Sequence, residues 1–213
     1  MNEFLDKKLT KLDALIKFIV QMPHKHEAMS LLQHCASLCK VQHLCRTMPP
    51  RQIETFVLKF DKILKDGFET LIGTKVQDKW WRLVRLPAKF GGMRLRSGVA
   101  THGAQYSVSV VKNSENIKRM LPDGEWDPAE VIKRDSKSWL EKTIGKEIDA
   151  AHLVSQLQEP LDEADPHDID PMEENKQTLS LSQLCELKER QKIHAQMDGD
   201  EKTRIEANSG DHP

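Results

Sequence analysis

The residues whose types and spacing are best suited to chemistry form a cationic stretch in the middle of the chain. Residues 75–96, the basic segment, contain a single carboxylate, that of Asp78. Their seven cations are Lys75, Lys79, Arg82, Arg85, Lys89, Arg94 and Arg96. Ammonium and guanidinium groups bind phosphate oxygens and supply affinity for nucleic acids without reading their sequence. The basic segment is therefore predicted to contact a phosphate backbone.

A helical projection of residues 78–85 separates charged from apolar side chains. The cations on one face are Lys79, Arg82 and Arg85, and the apolar residues on the other are Trp80, Trp81, Leu83 and Val84. We expect both tryptophans to anchor the helix and the three cations to point outward. The alternative is an ordinary amphipathic helix whose tryptophans are buried and whose arginines are solvated.

The charge of the whole chain is −1, but it is unevenly distributed. Residues 1–122 contain 21 basic and 10 acidic residues, a net charge of +11. Residues 123–213 contain 11 basic and 23 acidic residues, a net charge of −12. Such a division is typical of a basic region that faces an anion and is followed by an acidic tail.

Hydrophobic periodicity predicts a mainly α-helical protein, an array of about six to eight helices with a short hairpin near residues 86–96. The strongest helical patterns cover a stripe at residues 5–19 that ends before Pro23, and residues 24–46, 52–72, 78–86, 98–112 and 127–143. The expected cap residues are Gly73, Asp78, Ser97 and Asp127. Four regions follow: a basic helical domain at 1–122, appended helices at 123–158, a disordered acidic linker at 159–177, and a C-terminal helix with a frayed tail at 178–213.

Three side chains at helical spacing suggest a metal site, although weakly. Cys35, Cys39 and His43 recur every four residues, but a structural zinc site needs four ligands and usually a close cysteine pair. We expect the cysteines to pack as small core residues, and His102 to be packed or solvated. The sequence therefore predicts no metal and no cofactor.

Catalytic constellations are missing from the sequence. Nucleotidyl transfer requires clustered carboxylates that hold two metal ions, and the chain contains no Asp–Asp dipeptide. No glycine-rich phosphate loop or other catalytic signature is present. We therefore expect a protein that is not an enzyme. The absence of a signal sequence or a long apolar span predicts an intracellular protein, cytoplasmic or nuclear, without membrane contact.

An ordered set of short motifs resembles a known family. The motifs are residues 32–37 (LQHCAS), 46–50 (RTMPP), 78–83 (DKWWRL), 86–97 (LPAKFGGMRLRS) and 100–107 (ATHGAQYS). In this order they resemble the region just after the catalytic palm of non-LTR retrotransposon reverse transcriptases. The resemblance extends from about residue 4 to residue 111 and thins out by residue 139. Met93-Arg94 stands where the family usually has Leu-Gly, and Cys45 stands where it has leucine.

The resemblance implies that residues 1–122 are a thumb-like domain that grips the template–product duplex. The palm and its paired aspartates would lie before residue 1 in that family. The function expected is thus a non-catalytic fragment that binds RNA or an RNA–DNA hybrid. The alternative is a helical interaction module whose basic surface meets an acidic partner or its own acidic tail. The oligomeric state stays open.

Overall fold

A computed structural model describes residues 2–86, 88, 91–121 and 126–158. The described residues form helices without strands, which confirms the mainly α-helical prediction. The α-helices, in chain order, are α1 (Asn2–Val20), α2 (Lys25–Cys35), α3 (Gln42–Thr47), α4 (Pro50–Ile72), α5 (Asp78–Arg85), α6 (Gly98–Lys112), α7 (Ser114–Met120), α8 (Pro128–Asp135), α9 (Lys137–Ile144) and α10 (Ala150–Gln158). A short 3₁₀ helix covers Leu38–Lys40.

Three of the expected helix caps are confirmed. The Ser97 hydroxyl accepts a hydrogen bond from the Ala100 amide at 3.0 Å and begins α6. Gly73 ends α4 in the left-handed conformation, with φ 74°. The Asp127 carboxylate accepts from the Ala129 amide at 2.9 Å, immediately before the proline that starts α8. Local cap chemistry therefore sets these boundaries.

Two predicted helices are each divided at a serine, which raises the helix count above the expected range. The helix predicted at 24–46 breaks near Ser37, whose hydroxyl donates to the Gln33 carbonyl at 2.5 Å. The helix predicted at 127–143 breaks at Ser136, whose hydroxyl donates to the Ile132 carbonyl at 3.2 Å. Thr10, Thr70 and Ser107 make the same contact within unbroken helices, so these hydrogen bonds accompany the two breaks without causing them.

The larger hydrophobic cluster, called cluster 1, joins α1 to α5. Helix α4 lies at its centre and packs against α1, α2 and α6. Its largest fully buried side chains are Ile16, Leu32, Ile53, Phe60, Leu64 and Leu95. Apolar stripes on long helices, joined by short turns, account for this packing.

The second cluster, called cluster 2, joins α6 to α8, α9 and α10. Its buried side chains are Ala104, Tyr106, Val108, Val110, Val111, Ile132, Leu140, Ile144, Ala150, Leu153, Val154 and Leu157. Helix α6 also packs against α3 and α4, so it contributes to both parts of the fold. Cluster 2 therefore begins inside α6, well before the domain boundary expected at residue 122.

The hairpin predicted near residues 86–96 is wrong, since the described residues there contain no strand. The chain instead returns along the end of α5 with two isolated backbone hydrogen bonds. Lys89 and the whole of residues 159–213, including the acidic linker and the C-terminal helix, lie outside the described residues. Within the described part, no helix is both long and apolar enough to cross a membrane.

Candidate nucleic-acid interface

Helix α5 is anchored through one of its two tryptophans. Trp81 is 6% exposed and packs against Phe68 of α4, with ring centroids 5.7 Å apart. At the start of α5, the Asp78 carboxylate accepts a hydrogen bond from the Lys65 ammonium of α4 at 2.7 Å. This ammonium holds the pKa of Asp78 below its usual value. Asp78 therefore ties α5 to α4, while Gln77 occupies the cap position for which Asp78 was predicted.

The second tryptophan does not anchor the helix, contrary to the sequence prediction. Trp80 is 44% exposed, and the Lys79 ammonium lies 5.4 Å from the centroid of its indole ring. A cation at this distance from a tryptophan face is attracted by the ring quadrupole. The exposed surface of α5 therefore combines an aromatic ring with a cation.

The segment after α5, residues 91–97, is held against the end of the helix. The Met93 amide donates to the Val84 carbonyl at 2.8 Å, and the Arg94 amide donates to the Leu86 carbonyl at 2.9 Å. A Cβ atom on Gly92 would lie 2.0 Å from the Leu86 oxygen, so only glycine fits there. The close approach that Gly92 permits is thus to the chain's own carbonyls, and it brings Arg94 next to α5.

Arg94 is exposed and has an unusual backbone conformation. Its φ of 55° lies in the left-handed region, which non-glycine residues seldom adopt. Gly91, three positions earlier, has φ 77°. The two left-handed residues turn the chain back toward α5 and leave the Arg94 side chain at the surface.

The outward position predicted for Arg85 is wrong. Its side chain is 16% exposed, and its guanidinium lies 3.8 Å from the Asp61 carboxylate of α4. Asp61 is buried and accepts hydrogen bonds from the Ser97 hydroxyl and from the Gly98 amide, the latter at 2.7 Å. Burial raises the pKa of Asp61, while these donors and Arg85 oppose the rise. Arg85 thus belongs to the junction of α4, α5 and α6.

Asp61 was missed in the sequence, although a signal was available. It lies four residues after Val57 and three before Leu64, within the buried stripe of α4. A carboxylate at such a position needs hydrogen-bond donors or a cation, because burying an unpaired charge is very unfavourable. The N-terminus of α6 and Arg85 provide both.

Lys75 is at the surface but is engaged by a neighbouring carboxylate. Its ammonium donates to the Glu69 carboxylate at 2.7 Å and its side chain is 87% exposed. Glu69 also accepts from the Val76 amide at 3.0 Å, and the Lys75 contact holds the pKa of Glu69 below its usual value. Much of the Lys75 charge is therefore compensated locally.

The described cations of the basic segment thus divide into groups. Lys79 and Arg94 are exposed, and Arg82 and Arg96 are half-buried. The return of residues 91–97 along the end of α5 places Arg94 beside the helix that carries Lys79 and Arg82, and Arg96 follows two residues later. These four residues are called the α5 surface below.

The cysteines do not pack as predicted. Cys35 and Cys39 are exposed, because the chain leaves the helical path after α2, and only Cys45 is buried among the described cysteines. Burial raises the pKa of Cys45 to about 12. In the described part of the chain, no group of three or more histidine, cysteine or acidic side chains is arranged to hold a metal ion.

His102 is packed, one of the two environments expected from the sequence. Its Nδ1 lies 3.1 Å from the Gly98 carbonyl and its ring contacts Trp139 edge-on, with centroids 4.7 Å apart. Burial lowers the pKa of His102, so the neutral imidazole is the stable form near neutral pH. The fully buried ring lies where α6 packs against α9.

Comparisons with protein-family models, with curated proteins and with solved structures found no match to this chain.

Proposed function

We propose that this protein is a non-catalytic nucleic-acid-binding module that contacts the phosphate backbone through the α5 surface. The observation that carries the proposal is the position of Arg94, whose segment returns beside the C-terminal end of the helix that carries Lys79 and Arg82. Cations from two neighbouring segments can bind successive phosphates of one strand.

The rigid mounting of the α5 surface supports the proposal. Trp81 fixes α5 to α4 from within, and Lys65 fixes its first turn through Asp78. Gly92 then allows residues 91–97 to lie closely against the helix end. Cations on such a scaffold lose less conformational freedom on binding than cations on a loose loop.

The charge distribution and the resemblance support the same function. Residues 1–122 carry a net charge of +11, which attracts polyanions over distance. The motifs at 78–83 and 86–97, which resemble the post-palm region of non-LTR retrotransposon reverse transcriptases, also form α5 and the segment beside it. On this proposal the ligand is RNA or an RNA–DNA hybrid.

The test is the binding of a fluorescent RNA–DNA hybrid to the full chain, measured by anisotropy as salt rises from about 50 to about 200 mM. Each phosphate contact should contribute about 0.9 log unit of affinity per log unit of salt. The double variant Arg82→Glu/Arg94→Glu should bind at least about tenfold more weakly and lower the slope by about 1.8. Circular dichroism would verify that the variant is folded.

The matched control is Lys142→Glu/Lys146→Glu, which changes the charge equally at exposed positions of α9 and the turn after it. It should change affinity by no more than about twofold, since local contacts outweigh net charge at moderate salt. Equal losses in the two double variants would reduce the effect to net charge and contradict the assignment to the α5 surface. No binding by the unaltered chain would refute the function.

A second candidate function is favoured by the acidic residues after α10. Residues 159–174 contain eight acidic and no basic residues, so they could occupy the α5 surface or compete with nucleic acid for it. Deleting residues 159–213 separates the candidates. The affinity for the hybrid should rise if the acidic tail competes with nucleic acid. A protein-interaction module would not bind the hybrid even without the tail.

A further inference from the structure

We infer that Trp80 is a stacking platform for an unpaired base, so that the ligand of the α5 surface carries a single-stranded segment. This inference rests on the proposed function and specifies its substrate class. An indole ring stacks on any base, because every base has a π-face, and proteins that bind single strands pair such rings with cations.

The two adjacent tryptophans of α5 have opposite environments. Trp81 is buried against Phe68, while Trp80 leaves 44% of its surface in solvent. Leaving a large aromatic side chain in water forgoes the stabilisation that its burial would give. Anchoring of α5 is already provided by Trp81 and by the partly buried Val84. The fold therefore does not need the Trp80 side chain to anchor α5.

The surroundings of Trp80 suit a nucleotide. The Lys79 ammonium lies 5.4 Å from the ring centroid, where it can pair with the phosphate of a base stacked on the indole. The carboxylate nearest in sequence, Asp78, is bound to Lys65, which reduces its repulsion of a phosphate. Both members of the aromatic–cation pair also sit on a helix whose position is fixed.

The other exposed aromatic rings of the described chain lack this combination. Phe18 on α1 is 70% exposed, and among the described residues no cation lies over its ring. Phe4 has the Lys8 ammonium 5.6 Å from its ring centroid. The same turn carries Glu3 and Asp6, which bind Lys7 and Lys59, so its charges largely cancel and it lacks the excess of cations found around Trp80. Trp80 is thus the ring that charge favours.

The experiment measures binding of the full chain to oligouridine and to the RNA–DNA hybrid. Trp80→Ala should weaken oligouridine binding by about fivefold to about 150-fold, the range for losing one stacked base. It should leave hybrid binding within about twofold, and Trp80→Phe should retain most of the affinity for oligouridine. Phe18→Ala, the matched control, should leave both affinities unchanged.

A second measurement removes the base instead of the ring. The unaltered chain should bind an abasic strand about as weakly as Trp80→Ala binds oligouridine, and Trp80→Ala should not distinguish the two strands. Three results would overturn the inference: no effect of Trp80→Ala on oligouridine, equal losses on both ligands, or a distinction between the strands that survives the substitution. After any of these three results, a strong loss of hybrid affinity in Arg82→Glu/Arg94→Glu would still support the proposed function. Failure of the unaltered chain to bind any probe would refute both.

Discussion

The two hydrophobic clusters share α6 but are built from different residues. Cluster 1 consists mainly of leucine, isoleucine and phenylalanine, most of them on the long helices α1 and α4, where Asp61 and Glu69 are also buried. Cluster 2 consists mainly of valine, alanine and leucine on α6 and three short helices. Buried polar contacts join those helices, such as that between the Ser107 and Ser136 hydroxyls at 2.8 Å. The difference indicates that large apolar side chains contribute most to cluster 1, whereas smaller side chains make cluster 2 depend more on close fit.

The largest expected effect tests the volume of cluster 1. Phe60→Ala removes a fully buried ring that α6 also contacts, since a Cβ on Gly98 would lie 3.2 Å from its Cδ1. The free energy of unfolding should fall by about 3–5 kcal/mol in urea denaturation. Phe18→Ala, at an exposed position, should change it by less than about 0.5 kcal/mol. A small effect of Phe60→Ala would remove the contrast between the clusters.

The next effect tests the close fit of cluster 2. A Cβ on Gly103 would lie 2.1 Å from the Trp139 ring, which His102 contacts from another side. Gly103→Ala should therefore lower the free energy of unfolding by about 1–3 kcal/mol, despite the better helix propensity of alanine. Thermal unfolding would measure it. Adding Trp139→Leu should recover part of the loss, and simple additivity would show that the ring is not the obstacle.

Asp135 tests the polar contacts of cluster 2. Its buried carboxylate accepts from the Arg134 guanidinium at 2.9 Å and from the Tyr106 hydroxyl at 3.3 Å, and the Arg51 guanidinium of α4 lies 3.3 Å away. Asp135→Asn should lower the free energy of unfolding by about 1–3 kcal/mol near neutral pH.

The same substitution has a defined pH dependence. Arg134 holds the pKa of Asp135 below its usual value, so the contribution of the carboxylate is present above about pH 4 and disappears on acidification. The difference between Asp135→Asn and the unaltered chain should therefore shrink in acid. The exposed Glu3→Gln serves as the control, with less than about 0.5 kcal/mol at any pH. If the free energies of unfolding of Asp135→Asn and of the unaltered chain differed by the same amount at every pH, the ionic role of the Asp135 carboxylate would be contradicted.

His102 tests the junction of α6 and α9 through pH. Burial lowers the pKa of His102, and its hydrogen bonds to the Val99 and Gly98 carbonyls and the nearby Glu54 carboxylate only partly oppose the change. The unfolded chain therefore takes up a proton near pH 6.5 that the folded chain excludes. Stability should be full above this pH and fall below it, by at most about 1.4 kcal/mol per pH unit. The free energy of unfolding, measured by urea denaturation at several pH values, should depend less on pH in His102→Gln. The exposed His26→Gln should leave this pH dependence unchanged.

Local signals predicted much of the fold but only part of the candidate site. Proline, glycine and cap residues act within a few positions, so the bounds of α6 and the caps at Gly73 and Asp127 followed from the sequence. The hydrogen bond of Asp61 to Ser97 spans 36 positions and that of Ser107 to Ser136 spans 29. Contacts between residues so far apart in the sequence determine that Arg85 points inward. Hydrophobic periodicity carries no information about such contacts. The helical projection likewise did not reveal that only one of the two tryptophans, Trp81, anchors α5.

At Arg94, a left-handed backbone that lowers stability is combined with an additional positive charge at the surface. The resembling family usually has glycine at this position, and the chain here keeps a φ of 55° with a side chain that such a backbone disfavours by about 1–2 kcal/mol. Arg94→Gly should therefore raise the melting temperature while weakening the binding of the RNA–DNA hybrid. If the substitution raised both, the arginine would be a mere tolerated replacement. If Arg94→Gly has both expected effects, the chain has gained one more cation at this position and has lost an unstrained turn.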